Sequence, residues 1–148
     1  MSTTHLEFYA QGMRAAQVEA LRALHAQAAA HAEAPPMMDD SGGPFQAKAH
    51  TVDAILTGDF NCESSSAEYG RLVAPNGAAT LHDAWPLRHG GAPQPPTFHV
   101  FDQRYSPVPV ACDFILVTDT LRQRVQRVQV DSETQASDHQ PVLLELHD

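Results

Sequence analysis

Three short stretches of the 148-residue chain set titratable side chains against apolar runs. Gly58-Asp59-Phe60-Asn61 follows the run 52–57, and Asp59 and Asn61, two residues apart, share one side of an extended backbone. A carboxylate and an amide so placed can hold a hard cation or orient a water. The same residues also serve a turn closed by an Asx hydrogen bond. Ser137-Asp138-His139 precedes a second apolar run, 141–146. His139 suits general acid or base work near neutral pH, and Asp138 can bind a metal or hold a different ring; a turn accounts for the tripeptide as well. Asp113 opens a third run, 113–118, directly after Cys112. A carboxylate there needs a partner, and histidine is the one chemistry would choose.

The elements that must position these residues are legible in outline. Residues 3–9 read as the tail of a strand running into a loop. The alanine-rich segment 11–32 is a strong helix, with Met13, Ala16, Ala20, Leu21, Leu24 and Ala28 as its apolar stripe. Pro35-Pro36 ends it, and 33–50 is a loop. A buried strand is expected over 52–58, and a short helix over 64–73 with Ser66 as its N-cap. The proline-rich stretch 86–109 reads as loop, with 97–101 as an edge strand. Strands follow over 113–118, 124–130 and 141–146. One or two helices and four or five strands predict an α/β protein.

Composition narrows the classes. The 9 basic and 18 acidic residues leave a charge of −9, and Lys48 is the one lysine. Arg122, Arg124 and Arg127 read as a solvated face, so duplex nucleic acid is not held by bulk electrostatics, although a metal ion can supply the positive charge a phosphate needs. No apolar run is long enough for a membrane span, and the N-terminus has no basic start followed by an apolar stretch. Cys62 and Cys112 lack CxxC spacing and are expected as free thiols, with a cytoplasmic location. No neighbour marks Cys62 as a nucleophile.

Taken in order, Gly-Asp-Phe-Asn, the Asp-Phe-Ile-Leu strand and Ser-Asp-His-Gln-Pro-Val resemble the endonuclease/exonuclease/phosphatase family, deoxyribonuclease I-like proteins. Thr4-His5-Leu6 followed by Arg14, Gln17, Leu21 and Leu24 extends the likeness, which leaves out only 33–50 and 86–109. The resemblance implies a metal-dependent hydrolase of phosphodiester or phosphomonoester bonds. It implies that Asp59 and Asn61 position the attacking water and the phosphate. His139 would contact the phosphate and handle its proton, Asp113 would pair with His139, and His5 would serve as acid for the leaving oxygen. Asp138, Asp59 and Asn61 would surround a Mg2+ or Mn2+ ion. Trp85 and Thr97-Phe98 also match family positions, as packing residues rather than catalytic ones.

The family's opening strand with its Asn, and its Gln-Glu pair that supplies the principal magnesium ligand, have no counterpart here. The expectation is therefore a truncated domain over 1–148, half of the four-layer α/β sandwich: mainly one mixed or antiparallel sheet with one or two helices. Its sheet would expose an apolar face that seeks a second copy or the missing N-terminal half. The expected substrate is a phosphate ester of a nucleic acid, a lipid headgroup or a sugar. The alternative is a non-catalytic binding or interaction module.

Overall fold

The apolar run that ends at Gly58 becomes a strand whose neighbour approaches unusually closely. In the computed structural model, which describes residues 1–35, 37, 42–43, 50–104 and 108–147, β1 (Ser2–His5) runs parallel to β2 (Ile55–Asp59). A Cβ on Gly58 would stand 1.8 Å from the Thr4 carbonyl oxygen, and its φ of +146° lies where side chains are rarely tolerated. β2 pairs antiparallel with β4 (Asp113–Thr118), which pairs antiparallel with β3 (Leu81–Asp83). The four-stranded sheet is therefore mixed, with order β1-β2-β4-β3. A separate hairpin joins β5 (Val125–Val130) to β6 (Val142–Leu146).

Strand alternation divides the core into two layers. Leu56, Phe114 and Leu116 point one way and pack with Leu6, Val18, Phe60, Leu72 and Leu81 under the helices α1 (Gln11–Glu33) and α2 (Ala67–Leu72). Ile115 and Val117 point the other way, onto Val125, Val128 and Val130 of the hairpin and Ala84 and Trp85 of α3 (Ala84–His89). The mixed-sheet α/β class agrees with expectation. The third helix, α3, is an addition, capped by Asp83, whose carboxylate accepts from Trp85 N at 2.9 Å.

Two local expectations are corrected. The buried face of α1 carries Val18, Arg22 and Ala29, while Met13 and Leu24 are 59% and 60% exposed. Alanine is so frequent in this helix that the apolar phase is ambiguous, and the buried face is set by arginines that find carbonyl partners. Arg22 donates to the Arg71, Leu72, Ala74 and Pro75 carbonyls, closing the C-terminus of α2. The expected strand over 97–101 is reduced to single bridges from Phe98 to Val110 and to His139. Proline-rich flanks with few N–H donors cannot propagate a ladder. Elsewhere the outline agrees: Ser66 caps α2 by accepting from Tyr69 N at 3.1 Å. The Pro36 half of the expected helix stop and most of the expected loop 33–50 lie outside the described residues.

Two glycines separate steric need from mere tolerance. Gly58→Ala should lower unfolding stability by about 3 kcal/mol, since strain and a backbone clash add. Gly70→Ala, in α2 with nothing within 4 Å of the added carbon, should gain about 0.5–1 kcal/mol. Urea midpoints of the two variants against wild type check both signs.

Candidate functional site

Sheet register builds the site. His5 lies opposite Asp59 in the β1–β2 ladder, and Asp59 lies opposite Asp113 in the β2–β4 ladder. The three side chains therefore form one row across the sheet end. Two aspartates directly opposite repel each other. His139 relieves this: its Nδ1 sits 2.9 Å from Asp113 Oδ2, and its Nε2 lies 3.8 Å from Asp59 Oδ2. His5 Nε2 approaches the same Asp59 oxygen at 3.5 Å from a largely exposed position.

His139 is delivered from outside the sheet. Gln140 N donates to the Thr97 carbonyl, and Phe98 bridges to His139 while its ring stacks on the imidazole at 4.4 Å between centroids. Gln140 itself is buried, and its amide, turned nitrogen-inward, donates to the Asp131 and Thr134 carbonyls. Thr97 Oγ1 donates to Asp113 Oδ2 at 2.6 Å and accepts from the Asp113 N–H. The Gln94 amide donates to the Asp113 carbonyl. Thr97, Phe98, Gln94 and Gln140 thus position Asp113 and His139. Thr97-Phe98 was visible in the sequence as a packing pair; its contact with Asp113 had no local signal, because 16 residues separate the partners.

Asp59 Oδ1 accepts from Asn61 N at 2.8 Å, an Asx turn of the kind the sequence allows. Asn61 adopts φ +47°, and its Nδ2 donates to the Leu6 carbonyl at 2.6 Å, so only Oδ1 remains for a cation or a water. The loop between β1 and α1 is fixed by Glu7 N donating to Gln17 Oε1 and by Arg14 donating to the Glu7 and Phe8 carbonyls. The structure thus brings His5, Asp59, Asn61, Asp113 and His139 together. Asp138, next to His139 in sequence, has an exposed carboxylate that accepts from the neighbouring Ser137 Oγ.

The resemblance implies Mg2+ or Mn2+, and the donors can be tested against such an ion. Magnesium needs about six oxygens in near-octahedral geometry. Here Asp59 has one oxygen engaged by Asn61 N, Asn61 offers a single oxygen, and the Asp138 carboxylate is engaged by Ser137 Oγ. The donors that do converge among the described residues are Asp59, Cys112 and His139, one ligand atom from each lying within 4.8 Å of the others. That set mixes oxygen, sulfur and nitrogen and does not fit a hard cation. Cys112, missed as a site residue because cysteine spacing alone carried no signal, is the addition. A cleft of about 580 Å3 opens beside the row, lined by Phe8, Tyr9, Asn61, Phe98 and Cys112 among others.

Fold and site together define an α/β protein whose mixed sheet carries a histidine between two aspartates at one end. Residues 19–139 match the Endonuclease/Exonuclease/phosphatase family, and the chain belongs to it. A mannosyl-6-phosphatase from Bacteroides thetaiotaomicron is similar with TM-score 0.64 at 21% identity, covering 99% of this chain and 50% of that one. An endonuclease/exonuclease/phosphatase from Bacteroides vulgatus gives 0.63 at 20%, covering 97% and 47%. A 3′ phosphatase from Neisseria, bound to a product DNA hairpin, gives 0.60 at 20%, covering 93% and 52%. The chain thus spans about half the length of these structures. No curated protein matches it significantly.

Both thiols are held protonated. Burial pushes Cys112 up, and the charges of Asp113 and Asp59 push it further. Burial does the same at Cys62, against a smaller pull downward from a Ser66 hydrogen bond. A raised thiol value means less thiolate at a given pH, so both should react with a disulfide reagent at pH 8 at least about tenfold more slowly in the folded protein than in urea. Timed release of thionitrobenzoate reads this directly.

Proposed function

We propose that the chain hydrolyses phosphate esters at the row His5–Asp59–Asp113, with His139 as the group that meets the phosphate. The observation that carries this is the placement of His139 between the two aspartates. Asp113 holds Nδ1, so Nε2 is the ring nitrogen that faces the space beside Asp59. With Nε2 protonated, His139 donates to a phosphoryl oxygen as charge builds there. Asp59 orients a water for attack on phosphorus and takes its proton, and Asn61 Oδ1 completes that water's contacts. His5, exposed and on the same row, donates a proton to the departing oxygen. A Mg2+ or Mn2+ ion would relieve the charge on the phosphate, but the oxygen donors at the row do not complete its shell.

A phosphomonoester is the first substrate class to assay, since two similar structures are named as phosphatases of a sugar phosphate and of a 3′ end. The alternative, a module that binds phosphate esters without turnover, is favoured by the same shortfall of hard donors. In that case the apolar groove of about 510 Å3 along Ile55, Ile115, Val142, Leu144 and Leu146 would receive a second copy or the other half of the fold.

Purified protein with Mg2+ or Mn2+ should release nitrophenol from 4-nitrophenyl phosphate or its bis-ester. His139→Ala and Asp59→Ala should each lower kcat by roughly a hundredfold or more, with unchanged circular dichroism. Folded protein that binds either ester by calorimetry yet releases no product with either cation overturns the catalytic proposal in favour of the module.

A further inference from the structure

We propose that Asp59, Cys112 and His139 form a binding site for a borderline-soft cation, zinc above all, and that zinc bound there shuts the hydrolytic site. The proposal deepens the function given above, because two of the three ligands are the groups assigned to water and phosphate.

Geometry carries it. One donor atom from each residue lies within 4.8 Å of the other two. A tetrahedral zinc ion, with bonds of about 2.0–2.3 Å, spaces its ligands about 3.4–3.6 Å apart. His139 Nε2 and Asp59 Oδ2 already stand 3.8 Å apart, close to that edge. The histidine is oriented as zinc-binding histidines are: Asp113 accepts at Nδ1, which fixes the ring and leaves Nε2 for the metal. Asp113 is in turn held by Thr97 Oγ1, so the supporting carboxylate has its own support. Cys112 Sγ now donates weakly to Asp113 Oδ2 at 3.6 Å. On binding, the thiol gives its proton to solvent and the sulfur turns to the metal, leaving Asp113 its bonds to Thr97 and His139. Cys112 and Asn61 line a cleft, from which a water would complete the shell.

Ligand chemistry selects the ion. Thiolate and imidazole favour zinc over magnesium, whose demand for oxygen this trio cannot meet. The consequence follows from the shared atoms: zinc on His139 Nε2 and Asp59 occupies both groups that a phosphate and its water need.

Cobalt(II), a spectroscopic stand-in for zinc, tests the site without requiring turnover. Added anaerobically to the wild-type protein, it should produce a sulfur-to-cobalt charge-transfer band together with the visible bands of a tetrahedral ion, and zinc should displace both. Cys112→Ser should abolish the charge-transfer band, and Cys62→Ser should retain it. His139→Ala, at a partly exposed ring, should weaken cobalt binding at least tenfold, which guards against misfolding of the Cys112 variant. Absence of the band in folded wild-type protein, or its loss in Cys62→Ser with retention in Cys112→Ser, overturns the site. In the nitrophenyl assay zinc should inhibit the wild type and Cys112→Ser should be at least tenfold less sensitive. Equal sensitivity of the two overturns the inhibitory role. Turnover absent while the cobalt band persists counts against the catalytic proposal alone and leaves the metal site standing.

Discussion

The parallel approach of β1 to β2 at Gly58 is the contact on which the rest depends. Only a residue without a side chain lets the Thr4 carbonyl come so near, and that closeness fixes the register in which His5 meets Asp59. Register in a sheet is all or nothing, because a slip of one residue sends every side chain to the other face. A slip here would move Leu56 out from under the helices and turn Asp59 into the core. The apolar alternation that builds the two core layers therefore enforces the alignment of the polar row.

That row is an electrostatic problem with one local solution. Asp59 and Asp113 stand opposite each other near a sheet end, where burial weakens solvent screening. Thr97 and the Asn61 N–H each satisfy one carboxylate by hydrogen bonding, and His139 serves both. The residues that bring His139 to this place, Phe98 and Gln140, lie in segments without regular secondary structure. Their geometry is held by backbone bonds between loops rather than by a ladder. A rigid sheet thus supplies two of the groups, and a cross-braced loop supplies the third.

Much of this could be read from residue order, and what could not has a physical reason. Short apolar runs ending at Gly58 and beginning at Asp113 announce strands, because few other structures bury them, and Ser66 announces a helix start by its capping chemistry. The pairing of Asp113 with a histidine follows from the cost of an unpartnered carboxylate. The phase of α1 could not be read, since a helix rich in alanine has several apolar stripes and arginine chose among them through carbonyls near α2. The support from Thr97 and the approach of Cys112 to His139 are products of the tertiary fold, in which residues far apart in sequence share one small volume. Spacing rules see none of this.

The chain's charge gains meaning from where its arginines go. Arg14 is taken up by Glu68 and by backbone carbonyls, Arg22 by the end of α2, and Arg71 by Glu19. Arg122, Arg124 and Arg127 pair with Asp119, the His147 carbonyl and Glu145. These guanidinium groups are spent on structure, and none of them belongs to the row at the sheet end. For a phosphate entering a site with two carboxylates, protonated histidine or a bound ion can supply the positive charge that these six arginines do not. An ion in that role makes the site sensitive to which cation is present. With a thiol near Asp59 and His139, the proposed zinc site would set soft cations against hard ones at this end of the sheet.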